Sequence, residues 1–578
     1  MCGIFGAIRL KPDSTCCRPS CSWSAESAAC LLCHRGPDAA GSTEVSLPWA
    51  HIGLGMTRLK IVDQSNLPMP LRYAGLGISL AFNGEVYNWR ELRSELSPAS
   101  WSTHCDAEVI AAAWRRWGLS CLDHFNGMWG FVLVDSLANE VFIARDRAGL
   151  KPVFYTLRGG TLYIASEPKA LPIALEEAPC PDLEAFEYDF GEDTPFAGVK
   201  RLPPGCYMHL KGQELKDVRP VRWWKLASTP EAQPRSFDSV VEETGALLLD
   251  AVRLRAITEV PAALQLSGGL DSAIIYECIK KIDPGLGRDI GLYCVSFTQD
   301  GIDNEAAARL AAGPGRELRV LSFGAEELQA VLPSVIYHLD TPATWSAICL
   351  WFLAQRISAD GAKIVLSGEG ADELFGGYAR YRILYWLDRM MADQHLSTYQ
   401  PTMQHLFGTK AGVVARLLDH SPRGAQLEHV RALVKRHAAG AQSLLRAATQ
   451  TEFYTTMQVL LRMGDRMAAA FGLENRCPFL DYRLMELGAR LPASYLVNEH
   501  ESKPVLRAVA RALGVSPQIT EEKSKRGLAV PWAKWNAGPG TSAAGTRGVW
   551  DRASFASLMR EAWRKRCLRE ELCNACNT

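Results

Sequence analysis

The run Ala262-Ala263-Leu264-Gln265-Leu266-Ser267-Gly268-Gly269-Leu270-Asp271-Ser272 decides how the second half of the chain folds. Its first five residues are a short apolar stretch that predicts a buried strand, and the residues from Ser272 to Lys280 continue with helical spacing. In the turn between them, two glycines let backbone N–H groups approach an anion. The helix N-terminus favours negative charge, and the serines offer hydroxyls. The plainer alternative is a strand–turn–helix connection without a ligand. No Gly-Lys-Ser/Thr is present, so the loop is not of the Walker type.

Working outward, helices are predicted over Ser239–Arg255, Asn304–Ala311, Ile348–Ala359, Phe453–Phe471 and Ser502–Leu513, and strands over Ile290–Phe297 and Lys363–Leu366. Strands alternating with helices predict a parallel, doubly wound α/β sheet. The first two hundred residues differ: short β-type runs at Leu76–Phe82, Gly130–Asp135, Glu140–Ala144 and Leu162–Ala165, with one clear helix over Asp106–Trp117. The character changes around Leu202-Pro203-Pro204-Gly205 and Trp223-Trp224. The predicted organisation is a sheet-rich domain over 2–220, a helix-rich one over 236–540 and a small basic tail over 541–578.

At 578 residues the chain needs more than one core. Its 63 Lys plus Arg equal its 63 Asp plus Glu, which gives no electrostatic case for nucleic acid or an anionic membrane. The longest uncharged apolar stretch, Thr341 to Gln355, falls short of the roughly 20 residues of a membrane span. No basic segment followed by an apolar run opens the chain, so the expectation is a cytoplasmic protein. Among 17 cysteines, Cys30-x-x-Cys33-His34 has metal-ligand character, but the pairs do not recur at zinc-ribbon spacing. Reduced thiols are expected.

The chain begins Met1-Cys2-Gly3-Ile4. If Met1 is removed, Cys2 carries a thiol and a free α-amine, whose pKa of about 7.7–8.0 suits it to take the thiol proton near neutrality. Phe82-Asn83-Gly84-Glu85-Val86-Tyr87-Asn88 puts Asn-Gly at the end of an apolar strand, either as a hairpin turn or as an oxyanion hole made by the Asn83 amide and the Gly84 N–H. Arg58 offers a bidentate partner for a carboxylate. Asp106 is either a helix N-cap or an acceptor for a substrate ammonium.

A second loop, Ser367-Gly368-Glu369-Gly370-Ala371-Asp372-Glu373, gathers three carboxylates within five residues after an apolar strand. It is either a solvated acidic turn or a place where phosphate-bound Mg²⁺ offsets the charge. Lys503 and the Lys523-Ser524-Lys525-Arg526-Gly527 run are either solvated surface or lysines facing phosphate.

Together His34-Arg35-Gly36-Pro37-Asp38, the Arg58–Asp63 run, the Phe82–Asn88 run, Ser267–Ser272, Ser367–Glu373 and Asp465–Asp481 resemble the glutamine-hydrolysing asparagine synthetase family. The resemblance implies an α+β N-terminal-nucleophile hydrolase domain, a β-sheet sandwich between helices. An α/β parallel-sheet, helix-rich synthetase domain with a pyrophosphate loop follows it. It implies Cys2 as nucleophile with Asn83 and Gly84, and glutamine binding by Arg58, Leu59, Lys60, Ile61, Val62, Asn83, Gly84, Glu85 and Asp106. ATP contacts are implied at Leu266, Ser267, Gly268, Gly269, Asp271, Ser272, Val295, Ser367, Gly368, Lys503 and Lys525, with Mg²⁺ on Asp271 and Asp372. Glu369 is implied to act on the acyl-adenylate or the incoming ammonia. The implied partners are glutamine, an acceptor carboxylate (aspartate by family habit) and a second copy of the chain. An internal ammonia passage lined by small and apolar residues is expected between the sites.

Two stretches depart from the family pattern. Ser65-Asn66-Leu67-Pro68-Met69 stands where Gly-Gln-Pro-Met is usual, and Trp345 in Asp340-Thr341-Pro342-Ala343-Thr344-Trp345-Ser346 stands where polarity is common. Both leave the acceptor open, with a secondary-metabolite or surface-sugar carboxylate as the alternative to aspartate. An intramolecular cyclase would have lost Cys2 or the glutamine-binding set. An RNA-modifying enzyme would need a basic groove, and an inactive regulatory protein would have lost site charges that are present here.

Overall fold

The computed structural model of the chain describes residues 1–11, 24–96, 101–172, 180–186, 188–212, 214–226, 235–297, 304–341, 344–392, 414–415, 417–418, 426–522, 528, 530–531 and 535. Twelve strands belong to the first half: β1 Gly3–Leu10, β2 Ala39–Ser46, β3 Ala50–Arg58, β4 Leu71–Tyr73, β5 Ile78–Val86, β6 Gly127–Asp135, β7 Glu140–Arg145, β8 Phe154–Arg158, β9 Thr161–Ala165, β10 Val199–Arg201, β11 Cys206–Leu210 and β12 Val221–Arg222. They form two antiparallel sheets, ordered β10-β8-β9-β1-β3-β2 and β12-β11-β7-β6-β5-β4.

Strand alternation stacks these sheets. On β1, Ile4 and Ile8 enter a core shared with Ile52 and Leu54 of β3, Leu80 and Phe82 of β5, and Val132 and Val134 of β6. Phe5, between them, faces the other way and packs in a cluster containing Ala28 and Leu32, at the helix Ala25–Leu31. Beyond the second sheet lies the helix Ala107–Trp117, whose Trp114 stacks on Phe142 of β7 with ring centroids 4.7 Å apart. The order is helix, sheet, sheet, helix.

The second half holds β13 Ala262–Gln265, β14 Gly291–Val295, β15 Leu318–Leu321, β16 Ile364–Leu366 and β17 Glu474–Arg476, all parallel, in the order β15-β14-β13-β16-β17. Winding proceeds outward from β13 in one direction and then reverses at β16. The reversal lies between neighbours β13 and β16, so the segments leaving their carboxyl ends, Ser267–Ser272 and Ser367–Asp372, open side by side. That crevice is where open α/β sheets bind ligands.

Helices cover this sheet, including Phe237–Ala256, Leu270–Ile282, Trp345–Ala359 and Pro504–Leu513. The stretch read as one helix over Phe453–Phe471 is two, Leu444–Tyr454 and Thr456–Ala469, broken at Thr455 with φ −122° and ψ −93°. The aromatic and β-branched run Phe453-Tyr454-Thr455-Thr456 is a weak helix former, so tertiary contacts decide the break. β15 and β17 were not among the predicted strands because Arg319, Glu474 and Arg476 interrupt their apolar character, whereas the equally short β13 and β16 carry no charge. The 541–578 tail lies outside the described residues. No helix of the described residues is long and apolar enough to cross a membrane.

The two halves share an apolar cluster, in which Met1, Phe5 and Leu171 join Leu264, Ile348 and Leu461, and buried ion pairs cross the same boundary. Arg35 pairs with Glu167 at 2.6 Å and Asp465 at 2.8 Å, Lys151 reaches Asp465 at 3.4 Å, and Arg466 lies 2.6 Å from Glu167. Asp38 pairs with Lys363 at 2.7 Å, and Asn126 donates to Asp481 at 2.9 Å. Leu59 and Ile61 form a small apolar cluster with Ile364 of β16.

Candidate functional site

Cys2 is buried just before β1, which pairs with β3 in register Gly3 to Thr57. The Cys2 N–H donates to Asn83 Oδ1 at 3.0 Å, and the Cys2 carbonyl accepts from Arg35 Nε at 3.0 Å. Burial raises the Cys2 thiol pKa. The Met1 α-amine is buried 3.8 Å from Glu474, and burial pushes it down to about 6.

Asn83 and Gly84 are not a hairpin turn: they lie inside β5, paired with Gly130 and Trp129 of β6. Gly84 has φ +150°, and a Cβ there would meet the Met128 carbonyl oxygen at 2.0 Å, so only glycine fits. Asn83 Nδ2 is buried, and among the described residues it has no hydrogen-bond partner. A buried donor left open is costly unless a ligand takes its hydrogen bond.

Arg58 is aimed by its own loop. Its guanidinium donates to the carbonyls of Val62 (3.0 Å), Asp63 (2.5 Å) and Ser65 (2.9 Å). The unusual Ser65–Met69 stretch thus begins with a residue that holds Arg58. Asp106 does not cap its helix; its carboxylate accepts the Val86 N–H at 2.9 Å, and burial pushes its pKa up to about 6. The remaining glutamine candidates divide. Leu59 and Ile61 turn their side chains into the Ile364 cluster, although the Leu59 N–H bonds the Met1 carbonyl at 3.1 Å. The Lys60 N–H bonds Asp38 at 2.7 Å and its ammonium pairs with Asn66. Glu85 faces Arg476 at 3.1 Å.

At the second site, Ser267 Oγ lies 3.2 Å from Ser272 Oγ and accepts the Gly269 N–H at 3.3 Å, closing the loop on itself. Gly268 has φ +75° and packs on the helix Glu305–Ala312, where a Cβ would lie 2.5 Å from the Ala308 nitrogen. Leu266 is buried beneath the loop, with its N–H on the Tyr293 carbonyl at 2.8 Å. A cavity of about 360 Å³ is lined by Ser267, Asp271, Ser272, Val295, Ser367, Gly368, Glu369, Asp372 and Glu373, with Leu350, Leu353, Leu460, Met463 and Leu528. A second, of about 250 Å³, shares Ser267, Asp271 and Asp372 and adds Gly268, Gly269, Arg382, Lys503 and Arg507.

Lys503 Nζ sits 2.7 Å from both Asp271 oxygens and 2.6 Å from Asp372. Burial works against its charge, but the two carboxylates outweigh it and raise its pKa. The ammonium marks a point where both aspartates meet a single cation, so these residues fit a Mg²⁺ shared with phosphate. Among the described residues no group of three or more His, Cys, Asp or Glu forms a closed metal cage.

Glu369 is held from β17 and the residue after it: Asn475 Nδ2 donates to Glu369 Oε2 at 3.0 Å, and Cys477 Sγ at 3.3 Å. Burial pushes its pKa up to about 7. Because side chains alternate along a strand, Glu474 and Arg476 point oppositely to Asn475. Glu474 meets Met1, and Arg476 meets Glu85. Three consecutive residues therefore touch both sites.

Comparison with known proteins matches residues 243–575 to the family described as Asparagine synthase, more than half of the chain. The chain belongs to the asparagine synthase family. Residues 1–224 match a glutamine amidotransferase domain, so this family member uses glutamine. Glutamine-hydrolysing asparagine synthetase 1 of Bacillus subtilis (strain 168) is 29% identical over 544 residues, covering 87% of this chain and 83% of the relative. Asparagine synthetase B of Escherichia coli (strain K12) is 30% identical, covering 65% of each. Amidase chry2 of Gibberella zeae is 27% identical over 593 residues, covering 89% of this chain and 86% of the relative.

Within this asparagine synthase fold, Lys525 lies outside the described residues. Trp345 opens a helix but is not among the described cavity-lining residues, whereas its neighbour Ser346 is. The sequence reading missed Arg35, Lys151 and Glu167 as a buried charge network, and Asn475 and Cys477 as partners of Glu369. Arginine and lysine among apolar runs were the available signal for the first. Two hydrogen-bonding residues alternating with the charged Glu474 and Arg476 before Pro478 were the signal for the second.

Proposed function

We propose that the chain is a glutamine-dependent amidotransferase. It hydrolyses glutamine at Cys2 and uses the ammonia to amidate a carboxylate activated by ATP as an acyl-adenylate. Family membership points to aspartate as acceptor and asparagine as product. The observation that carries the reading is β17, whose adjacent side chains reach the Cys2 pocket on one face and Glu369 on the other.

In the first half-reaction, with Met1 removed, the Cys2 amine takes the thiol proton, and the thiolate attacks the glutamine side-chain carbonyl. The neutral form of that amine is the one able to accept a proton, and the Cys2 nitrogen lies 3.0 Å from Asn83 Oδ1. The open Asn83 Nδ2 and the Gly84 N–H receive the oxyanion. Arg58 pairs with the substrate α-carboxylate and Asp106 with its ammonium.

In the second, the acceptor carboxylate displaces pyrophosphate from ATP, and ammonia then displaces AMP from the acyl-adenylate. Gly268, Gly269, Ser267 and Ser272 offer N–H and hydroxyl donors to phosphate, with Lys503 and Lys525 as charge partners. Leu266, Val295, Ser367 and Gly368 flank the nucleotide. Asp271 and Asp372 would hold Mg²⁺, which supplies charge neutralisation to the phosphates. The domains take the forms of an N-terminal-nucleophile hydrolase and a pyrophosphate-loop synthetase.

A second reading keeps this chemistry with a larger, less polar carboxylate. Leu350, Leu353, Leu460, Met463 and Leu528 favour it, because the charged described residues lining the 360 Å³ cavity are all acidic. One experiment tests both: pyrophosphate release and amide formation with glutamine, ATP–Mg²⁺ and a panel of carboxylates. Glutamine hydrolysis with no carboxylate-dependent pyrophosphate release across the panel would sink the synthetase assignment.

A further inference from the structure

Glu369 sits in a closely fitted polar niche. The β16–β17 register sets Val365 beside Asn475 and Leu366 beside Arg476, and the Ser367 N–H continues the pairing to the Arg476 carbonyl at 3.1 Å. Glu369, two residues on, thereby falls beside the side chains of Asn475 and Cys477. Both hydrogen bonds end on Oε2; among the described residues none ends on Oε1. On the remaining side stands Gly464, where a Cβ would lie 2.6 Å from Asn475 Nδ2 and 2.7–2.8 Å from the two Glu369 oxygens. Only glycine lets the helix Thr456–Ala469 approach the Asn475–Glu369 pair this closely.

Asn475 has a further property. Its Nδ2 is used on Glu369, but its Oδ1 is buried and, among the described residues, has no hydrogen-bond partner. The residue is 5% exposed. An amide oxygen buried without a donor costs free energy unless something supplies the donor. Turning the amide would bring Oδ1 against the Glu369 carboxylate, acceptor to acceptor, so the network fixes the orientation. The missing partner is a small hydrogen-bond donor next to a carboxylate whose protonation changes near neutrality. Flanking Asn475 on the same strand, Glu474 meets Met1 and Arg476 meets Glu85, so Asn475 stands on the strand that faces the Cys2 side with its neighbours and Glu369 with its own side chain.

We propose that Asn475 is an ammonia-binding residue at the entry to the synthetase cavity, with Oδ1 accepting an ammonia N–H and Nδ2 holding Glu369 as the proton acceptor. The inference rests on the amidotransferase reading above. Ammonia's lone pair forms the C–N bond at the acyl carbon, and the C–O bond to AMP breaks with its electron pair leaving on phosphate oxygen. The surplus N–H proton passes to Glu369. Cys477 contributes the second hydrogen bond that keeps the carboxylate in place.

The test uses the full chain with Asn475→Ala and the near-isosteric Asn475→Leu. Both are assayed with ammonium chloride as nitrogen source, with aspartate and with aromatic and aliphatic monocarboxylates as acceptors. The expected result is a rise of about tenfold or more in KM for ammonia. Carboxylate-dependent ATP–pyrophosphate exchange and glutamine hydrolysis should stay at wild-type rates in at least the leucine variant. A merely structural role would lower exchange together with synthesis and leave the ammonia KM in place, which overturns the proposal. So does a wild-type ammonia KM in Asn475→Leu. Absence of exchange in the wild-type chain with every acceptor would instead remove the underlying reading, and this inference with it.

Discussion

Arg35 Nη2 donates to Asp465 Oδ2 at 2.8 Å, joining residues 430 positions apart, with both side chains buried. The same guanidinium bonds the Cys2 carbonyl and Glu167, so one side chain ties the Cys2 backbone to the second domain. Removing Arg35 leaves Lys151 on Asp465 and Arg466 on Glu167, so the loss falls below the cost of a buried charge left with no partner, about 3–5 kcal/mol. Arg35→Met is therefore expected to lower the thermal unfolding midpoint and to uncouple glutamine hydrolysis from synthesis. The double variant Arg35→Met/Asp465→Asn should recover part of the stability. Calorimetry on the two variants checks this; equal midpoints for wild type and Arg35→Met would reject it.

Cys2→Ala is expected to abolish glutamine hydrolysis and leave ammonia-dependent synthesis intact, because the two sites share no reacting group. Asn83→Ala should keep the thiol but lower the glutaminase kcat by about 10²–10³, the usual loss of one oxyanion donor. Mass spectrometry should find the mature chain beginning at Cys2. Glutamine hydrolysis by Cys2→Ala at the wild-type rate would contradict the assignment.

Much of this was legible in the sequence wherever the chemistry is local. Ser267–Ser272 and Ser367–Asp372 each announce a strand, a turn and a charge in a few residues, and the parallel sheet then brings them together. The apolar run Leu76–Phe82, which falls largely in β5, was likewise readable. The partnerships of Arg35, Glu85 and Asn475 were not, because each depends on a side chain from the far domain, and nothing in local spacing encodes that meeting. Lys503 shows the intermediate case: its charge was noticed, but its place between Asp271 and Asp372 follows only from the packing of the helix Pro504–Leu513.

Cleavage of ATP is expected to give AMP and pyrophosphate. The Ser267–Ser272 loop lacks a Walker lysine. Asp271→Ala and Asp372→Ala should each lose synthesis, and EDTA should reproduce that loss in the wild type while sparing glutamine hydrolysis. Product analysis by ion-pair chromatography decides the point. Stoichiometric ADP and phosphate would exclude the acyl-adenylate route.

The pH dependence of glutamine binding should follow Asp106. Burial raises its pKa to about 6, so the carboxylate is charged above that value and neutral below it. Only the charged form pairs well with a substrate ammonium. KM for glutamine should therefore be flat between about pH 7 and pH 8 and climb up to tenfold for each unit below about pH 6. Asp106→Asn should give a high, pH-independent KM over that range. A wild-type KM that does not change down to about pH 5 would remove Asp106 from the ammonium site.

The acceptor is the last expectation. Aspartate offers two carboxylates and an ammonium, so its binding needs a cation for the carboxylate that does not react. The charged described residues lining the 360 Å³ cavity are Asp271, Glu369, Asp372 and Glu373, all acidic, beside five apolar residues. Lys503, which contacts two of these carboxylates, is held by both. An acceptor with one carboxylate and an apolar body avoids the repulsion and buries its remainder against Leu350, Leu460 and Met463 at about 25 cal/mol per Å² of apolar area. If aspartate is the substrate, the partner of its α-carboxylate comes from outside this described lining. If an apolar carboxylate is the substrate, Met463→Lys should abolish its use. Asparagine formation measured by chromatography, in parallel with pyrophosphate release from aromatic and aliphatic monocarboxylates, separates the two. Aspartate-dependent asparagine synthesis that exceeds every monocarboxylate rate would end the apolar reading.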